Sequence, residues 1–294
     1  MTHKLAGTGV ALVTPFRQDL SIDFESLGTI LRFTAEHGVN YYVVMGTTGE
    51  AATLALDEKR AVLRYVQEHN THQLPLVYGV GGNDTQAVIR RIKNTDLTKV
   101  DALLCVSPYY NKPTQEGIYR HYMTIADASP IPVIIYNVPS RTASNVEAAT
   151  TLRLAAHPQI LGIKESCADL SQIYRVLAEK PDDFLFLSGD DMTSVPVICA
   201  GGSGVISVLA NAFPEKYCRM VAAALRQELS VCREILYELV QINDLMYRES
   251  NPVGVKAALA LRGLCSPYVR LPLVEASDAL MHALRTNIDK FALV

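Results

Sequence analysis

The sequence has no apolar run long enough to cross a bilayer. Its longest runs, such as residues 102–106 and 132–136, stop well short of the about 20 residues a membrane helix needs. The opening Met1-Thr2-His3-Lys4-Leu5-Ala6-Gly7 lacks the basic-then-apolar layout of a secretory signal, so a cytoplasmic protein with no membrane partner is expected. Paired cysteines are missing too. Cys105, Cys167, Cys199, Cys218, Cys232 and Cys265 are scattered with no C-x-x-C, which reads as reduced core cysteine and not as a disulfide framework or zinc site. Neither charge sign dominates: 27 Lys and Arg face 30 Asp and Glu, for a net charge of −3. No basic run could follow a phosphate backbone, so no nucleic-acid partner is expected. There is no low-complexity segment and no Gly/Ser-rich linker. What remains is 294 residues that are 49 % hydrophobic and 19 % charged. A chain of that size buries roughly three quarters of its unfolded surface and needs no covalent staple.

Eight short, nearly continuous apolar runs recur, at residues 9–13, 41–45, 76–80, 102–106, 133–136, 161–164, 184–188 and 204–208. Continuous runs suit parallel strands covered on both faces, where a half-exposed sheet would alternate. Helical patterns lie between them, at 23–37, 57–68, 85–93, 116–126, 145–156, 171–179 and 192–199. The first places Phe24, Leu27, Ile30 and Leu31 on one stripe and stops at Gly38. Eight strand–helix repeats in about 210 residues fit a (β/α)8 TIM barrel. An open doubly wound sheet fits less well, since no G-x-G-x-x-G follows the first strand. After Phe213-Pro214 only helices are expected, at 215–225, 229–247, 253–264 and 274–287. The expected organisation is an α/β barrel over residues 1–224 with a C-terminal helical appendage over 225–294.

Barrel enzymes carry their chemistry at the C-terminal ends of the strands. Here those ends are polar: Gly46-Thr47-Thr48-Gly49-Glu50, Ser107-Pro108-Tyr109-Tyr110-Asn111, Tyr136-Asn137-Val138-Pro139-Ser140-Arg141, Lys164-Glu165-Ser166 and Ser188-Gly189-Asp190-Asp191. A lysine ending Ile160-Leu161-Gly162-Ile163-Lys164 would send its amine into the barrel mouth, where burial disfavours the ammonium and favours a nucleophile. It could also snorkel to water. Tyr136 ends the neighbouring strand and could shuttle protons for imine chemistry, or pack as a rim tyrosine. Thr47 could bond that phenol, and Thr48 with nearby N–H groups could hold a carboxylate; Gly46–Gly49 could equally be only a tight turn. Arg141 offers a forked donor for a second carboxylate, or is a surface arginine. His3, His37, His69, His72, His121, His157 and His282 form no metal-binding set at strand ends, which disfavours a metal-dependent aldolase. Asp190-Asp191 stands where phosphosugar barrels bind phosphate, so an unphosphorylated substrate is expected.

As an ordered set these residues are far more specific than singly. Gly46–Glu50, Pro108-Tyr109-Tyr110-Asn111-Lys112-Pro113, Tyr136 to Thr142, Ile163-Lys164-Glu165, Leu187 to Asp191, Gly204-Val205-Ile206-Ser207 and Asn251-Pro252 resemble the dihydrodipicolinate synthase/N-acetylneuraminate lyase family of class I aldolases, over essentially the whole chain. The resemblance implies condensation of pyruvate with aspartate 4-semialdehyde, at the start of lysine and diaminopimelate synthesis, with no cofactor and no metal. It implies an imine on Lys164 and proton shuttling by Tyr136, linked to Thr47 and to a Tyr110 supplied across a dimer interface. It further implies that Thr48 binds the pyruvate carboxylate and Arg141 the semialdehyde carboxylate. The main chain of Ile206 would face the amine, and Gly189 and Asp190 would line the second-substrate side. A homotetramer built as a dimer of dimers is the family's common assembly.

Two other functions stay open on the sequence: a pyruvate-dependent aldolase or dehydratase acting on a sugar acid, and a non-catalytic barrel that binds a keto acid for regulation. Arg141 favours the semialdehyde over a sugar. The lysine, tyrosine and arginine together favour an enzyme over a binder. Members inhibited by lysine carry polar and acidic groups at an interface effector site. The matching positions here are Ala51, Leu56, Lys59 and Ala87, with Asn83 and Tyr109 kept. Ala87 supplies no carboxylate and Lys59 would repel an ammonium, so weak or absent lysine inhibition is expected.

Overall fold

A computed structural model describes residues 3–292. Among them eight parallel strands close a barrel in sequence order: β1 (Gly7–Ala11), β2 (Tyr41–Val44), β3 (Leu76–Gly81), β4 (Ala102–Val106), β5 (Val133–Asn137), β6 (Ile160–Glu165), β7 (Leu185–Ser188) and β8 (Gly204–Ser207). Pairing of Gly7 with Gly204 returns β8 to β1 and leaves no free edge. The helices of the barrel are α1 (Phe24–Glu36), α2 (Leu56–His69), α3 (Thr85–Lys93), α4 (Gln115–Ala128), α5 (Pro139–Thr142), α6 (Ala148–Ala155), α7 (Leu170–Glu179), α8 (Ser194–Cys199) and α9 (Pro214–Leu225). Beyond them come α10 (Leu229–Tyr247), α11 (Val253–Leu261) and α12 (Asp278–Ala292).

Side chains alternate across each strand, and the two faces build two cores. Val133 and Ile135 of β5 join the large cluster between strands and helices, while Ile134 and Tyr136 point into the barrel with Tyr41, Val43, Leu104, Leu187 and Ile206. The same parity on β6 sends Ile163 outward and Lys164 inward. Tyr41 fills the barrel floor only because Gly9 faces it: a Cβ at Gly9 would stand 2.1 Å from the ring.

The expected fold is the observed one, and the departures are local. β1 stops at Ala11, not at residue 13, because the Asn211 side chain takes over its end, donating to Ala11 O and accepting from Val13 N–H. α6 starts at Ala148, not 145, because Asn145 is drawn into side-chain bonds with Asn137 and Gln172. α11 ends at Leu261, ahead of Gly263 with φ +70, and α12 starts at Asp278, after Ser277 accepts from Leu280 N–H. The 3-10 turns at Thr47–Gly49 and Leu209–Asn211, and the four-residue α5, were not expected from periodicity, being too short to show one.

Candidate active site

The β5–β6 seam sets the centre. Tyr136 and Lys164 are register partners on adjacent parallel strands, both facing inward. Their side chains therefore meet: Lys164 Nζ lies 4.3 Å from the centroid of the Tyr136 ring, and each residue is only 6 % exposed. Burial by itself would raise the Tyr136 phenol. The Lys164 charge, the nearby Thr47 hydroxyl, Arg141 and Ser166 together outweigh it and hold the phenol below its ordinary value. A phenol so placed gives up its proton more readily than a free one.

One step along each strand, on the outer face, Asn137 pairs with Glu165. Asn137 Nδ2 donates to both Glu165 oxygens at 3.0 Å, Cys167 N–H donates at 2.7 Å and Gln172 Nε2 at 3.2 Å. Burial nevertheless pushes the Glu165 carboxyl up to about 7, against the pull of these donors. This polar tie pins the register that brings Lys164 to Tyr136. Its signal in the sequence was the polar residue directly after each inward-facing one.

Thr47 and Thr48 sit in the 3-10 turn after β2, which ends at Glu50 in the left-handed region with φ 51. Thr48 Oγ1 accepts from Asn251 Nδ2 at 3.0 Å. Glu50 pairs with Lys256 of α11, both buried, and also accepts from Arg270 N–H at 2.9 Å. Lys256 donates in addition to Tyr268 O at 2.9 Å and lies over the Phe16 ring. The C-terminal helices thus hold the turn that carries both threonines. Sequence reasoning did not single out Glu50, Asn251 or Lys256 for this, because their partners lie more than 200 residues away.

Gly189 follows β7 beside the lysine. A Cβ there would stand 1.9 Å from Ser166 Oγ and 2.9 Å from Lys164 Cε, so only glycine leaves the lysine its room. Asp190 spends its carboxylate on the N–H groups of Met192 and Thr193, at 3.0 and 2.8 Å. Asp191 is buried, which raises its carboxyl, and Oδ2 accepts from Val208 and Leu209 N–H at 3.1 and 3.0 Å. The N–H groups after β8 that could take a phosphate are therefore occupied by the protein's own carboxylate, a stronger bar than charge repulsion alone. Ile206 is buried in the inner cluster on β8.

A cavity of about 620 Å³ is lined by Thr47, Tyr136, Arg141 and Asn251 and reaches outward to Lys59 and Tyr109. Arg141, on α5, is exposed at its rim. Tyr110 is not brought in. It is 82 % exposed, at φ 72, on the loop after β4. Among the described residues no group of three or more His, Cys, Asp or Glu stands together as metal ligands would, and no helix is long and apolar enough to cross a membrane.

A model of the dihydrodipicolinate synthetase family matches residues 4–290. The chain belongs to that family. It is 47 % identical over 280 residues to the 4-hydroxy-tetrahydrodipicolinate synthase of Cytophaga hutchinsonii, covering 95 % of this chain and 94 % of that one. Its fold is similar to the dihydrodipicolinate synthase of Thermotoga maritima, with TM-score 0.95 and 37 % identity over 99 % of this chain and 100 % of that one. It is equally similar to the Acinetobacter baumannii dihydrodipicolinate synthase solved in complex with pyruvate, with TM-score 0.95 and 34 % identity over 99 % and 100 % of the two chains.

Proposed function

We propose that this family member condenses pyruvate with aspartate 4-semialdehyde to 4-hydroxy-tetrahydrodipicolinate through a Schiff base on Lys164. The observation that carries this reading is the buried Lys164–Tyr136 pair at the C-terminal end of a barrel, with the Thr47 hydroxyl near the phenol. The name and extent of the relatives support the same substrates.

Once its ammonium proton has passed to solvent, the Lys164 nitrogen attacks the pyruvate keto carbon, forming the C–N bond as the C=O π bond opens and the keto oxygen takes a proton from Tyr136. The nitrogen then loses a proton, the carbinolamine hydroxyl is protonated and leaves as water, and the imine forms. Removal of a methyl proton gives the enamine, whose carbon attacks the semialdehyde carbonyl and makes the new C–C bond. Attack on the imine by the semialdehyde's own amine then frees Lys164. Tyr136 suits each proton step because its phenol is held between the Lys164 charge and the Thr47 hydroxyl.

Thr48, fixed by Asn251, is suited to the pyruvate carboxylate, and Arg141 at the rim to the carboxylate of the semialdehyde. Gly189 and Asp190 border the lysine on the β7 side, and the Ile206 main chain closes the β8 side; Asp190 can offer a substrate little beyond its backbone while its carboxylate caps the turn before α8. The exposed Tyr110 supports a second subunit that completes the site, within a tetramer built as a dimer of dimers. The C-terminal helical region serves the barrel by bracing the Thr47–Thr48 turn through Asn251, Lys256 and Arg270, and the enzyme works in the cytoplasm. Product analysis separates the substrates: with pyruvate, aspartate 4-semialdehyde is consumed to a cyclic product, whereas faster turnover with an aldose would move the enzyme to sugar-acid chemistry.

A further inference from the structure

Ser166 Oγ is buried and makes no well-formed hydrogen bond among the described residues. A buried hydroxyl without a partner costs free energy and calls for a use elsewhere. Its surroundings supply one. Ser166 follows Lys164 by two residues, and its N–H still donates to Asn137 O at 2.8 Å, so the β5–β6 ladder runs on past the last paired residues. With the alternation of an extended chain, Ser166 points to the same side as Lys164, toward the barrel mouth. The position of its hydroxyl is marked independently from the neighbouring β7 end: the missing Cβ of Gly189 would touch Ser166 Oγ and the Lys164 stem together. Oγ thus borders the same gap as the lysine. It also lies near enough to the Tyr136 phenol to help hold that group down.

We propose that Ser166 is a further hydroxyl of the proton relay, a positioning residue that donates to the Tyr136 phenolate and keeps its oxygen aimed at the nitrogen of Lys164. This deepens the Schiff-base reading and rests on it. When Tyr136 has given its proton to the substrate oxygen, the phenolate left behind needs donors. Thr47 supplies one from the β2 side, and Ser166, its proton otherwise uncommitted, supplies another from the β6 side. A hydroxyl pair that grips the phenolate more strongly than the phenol favours proton release. The other charged or titratable groups facing Tyr136 are Lys164 on β6, Arg141 on α5 and Tyr247 on α10. None of these is altered by a change at Ser166.

The test compares wild type with Ser166→Ala in rapid-mixing imine formation with pyruvate, across pH, alongside thermal unfolding. Loss of a hydrogen bond to a charged oxygen should slow imine formation about tenfold or more. The alkaline limb of kcat/KM, where Tyr136 loses its proton, should move to higher pH. The melting temperature should be unchanged or higher, since no protein bond is lost. An unmoved alkaline limb overturns the proposal whatever the rate does, as does a rate that falls only together with the melting temperature. If wild type itself forms no borohydride-trappable adduct at Lys164, the Schiff-base reading fails, and the role of Ser166 fails with it.

Discussion

Lys164 and Tyr136 are each 6 % exposed, whereas Tyr110, assigned to the same relay, is 82 % exposed. The first two are fixed from within one chain, by the β5–β6 register and the Asn137–Glu165 tie behind it. Thr47 and Thr48 are held from within as well, through Asn251 and the Glu50–Lys256 pair. The loop that carries Tyr110 is turned outward at a positive φ. The difference separates two requirements. On the proposed mechanism, forming the imine would need only what one subunit buries, and a proton path through Tyr110 would need a neighbour.

The largest expected effect breaks the buried half outright. Lys164→Ala should abolish condensation, and substituting any other residue of the site should leave more activity than this. Next is the brace. Lys256→Met alone leaves Glu50 buried without its cation and should cost about 3–5 kcal/mol in denaturant unfolding, while Glu50→Gln with Lys256→Met recovers most of it. An undiminished stability of the single variant would mean that the pair does not hold the turn.

Glu165 gives a pH signature. Its folded value of about 7 lies above the ordinary 4.5, so the folded state holds this proton more tightly. The stability it contributes is full below pH 4.5 and is lost as pH rises through about 7, a change of roughly 3 kcal/mol. Urea unfolding across that window should show the decline, and Glu165→Gln should flatten it. Tyr110→Phe should slow turnover about tenfold without altering the trapping of Lys164. Mixed subunits sharpen the point. Joining Tyr110→Phe with Lys164→Ala subunits should restore activity if the tyrosine acts across an interface, and should restore none if each subunit uses its own. The smallest effect is at the outer end of the cavity. Leu56 is exposed, Lys59 lines the wall and Asn83 bonds the Tyr109 carbonyl at 3.2 Å, with no carboxylate at Ala87 to meet an ammonium. Free lysine added to a steady-state assay should leave the rate near its uninhibited value.

The barrel was legible because strands covered on both faces must be continuous apolar runs, and most strand ends fell within a residue or two of expectation. β1 was displaced because a distant side chain, Asn211, ends it. Lys164 and Tyr136 could be expected to meet because their strands are neighbours, and Thr47 could be expected near them because the strand ends of a barrel all face one mouth. Arg141 and Thr48 took their places on short turns whose shape no periodicity reports. The brace was not legible: Lys256 lies in an apolar helix and Glu50 in a turn, and only folding brings them together across 206 residues. Ser166 was equally silent, a serine beside a lysine until Gly189 is seen to leave room for both.

Borohydride reduction of the enzyme with pyruvate, followed by peptide mass analysis, tests the central claim most directly. The account predicts a single pyruvate-derived adduct on Lys164, absent from Lys164→Ala and still formed in Tyr110→Phe. No adduct on Lys164, or full turnover by Lys164→Ala, would contradict it.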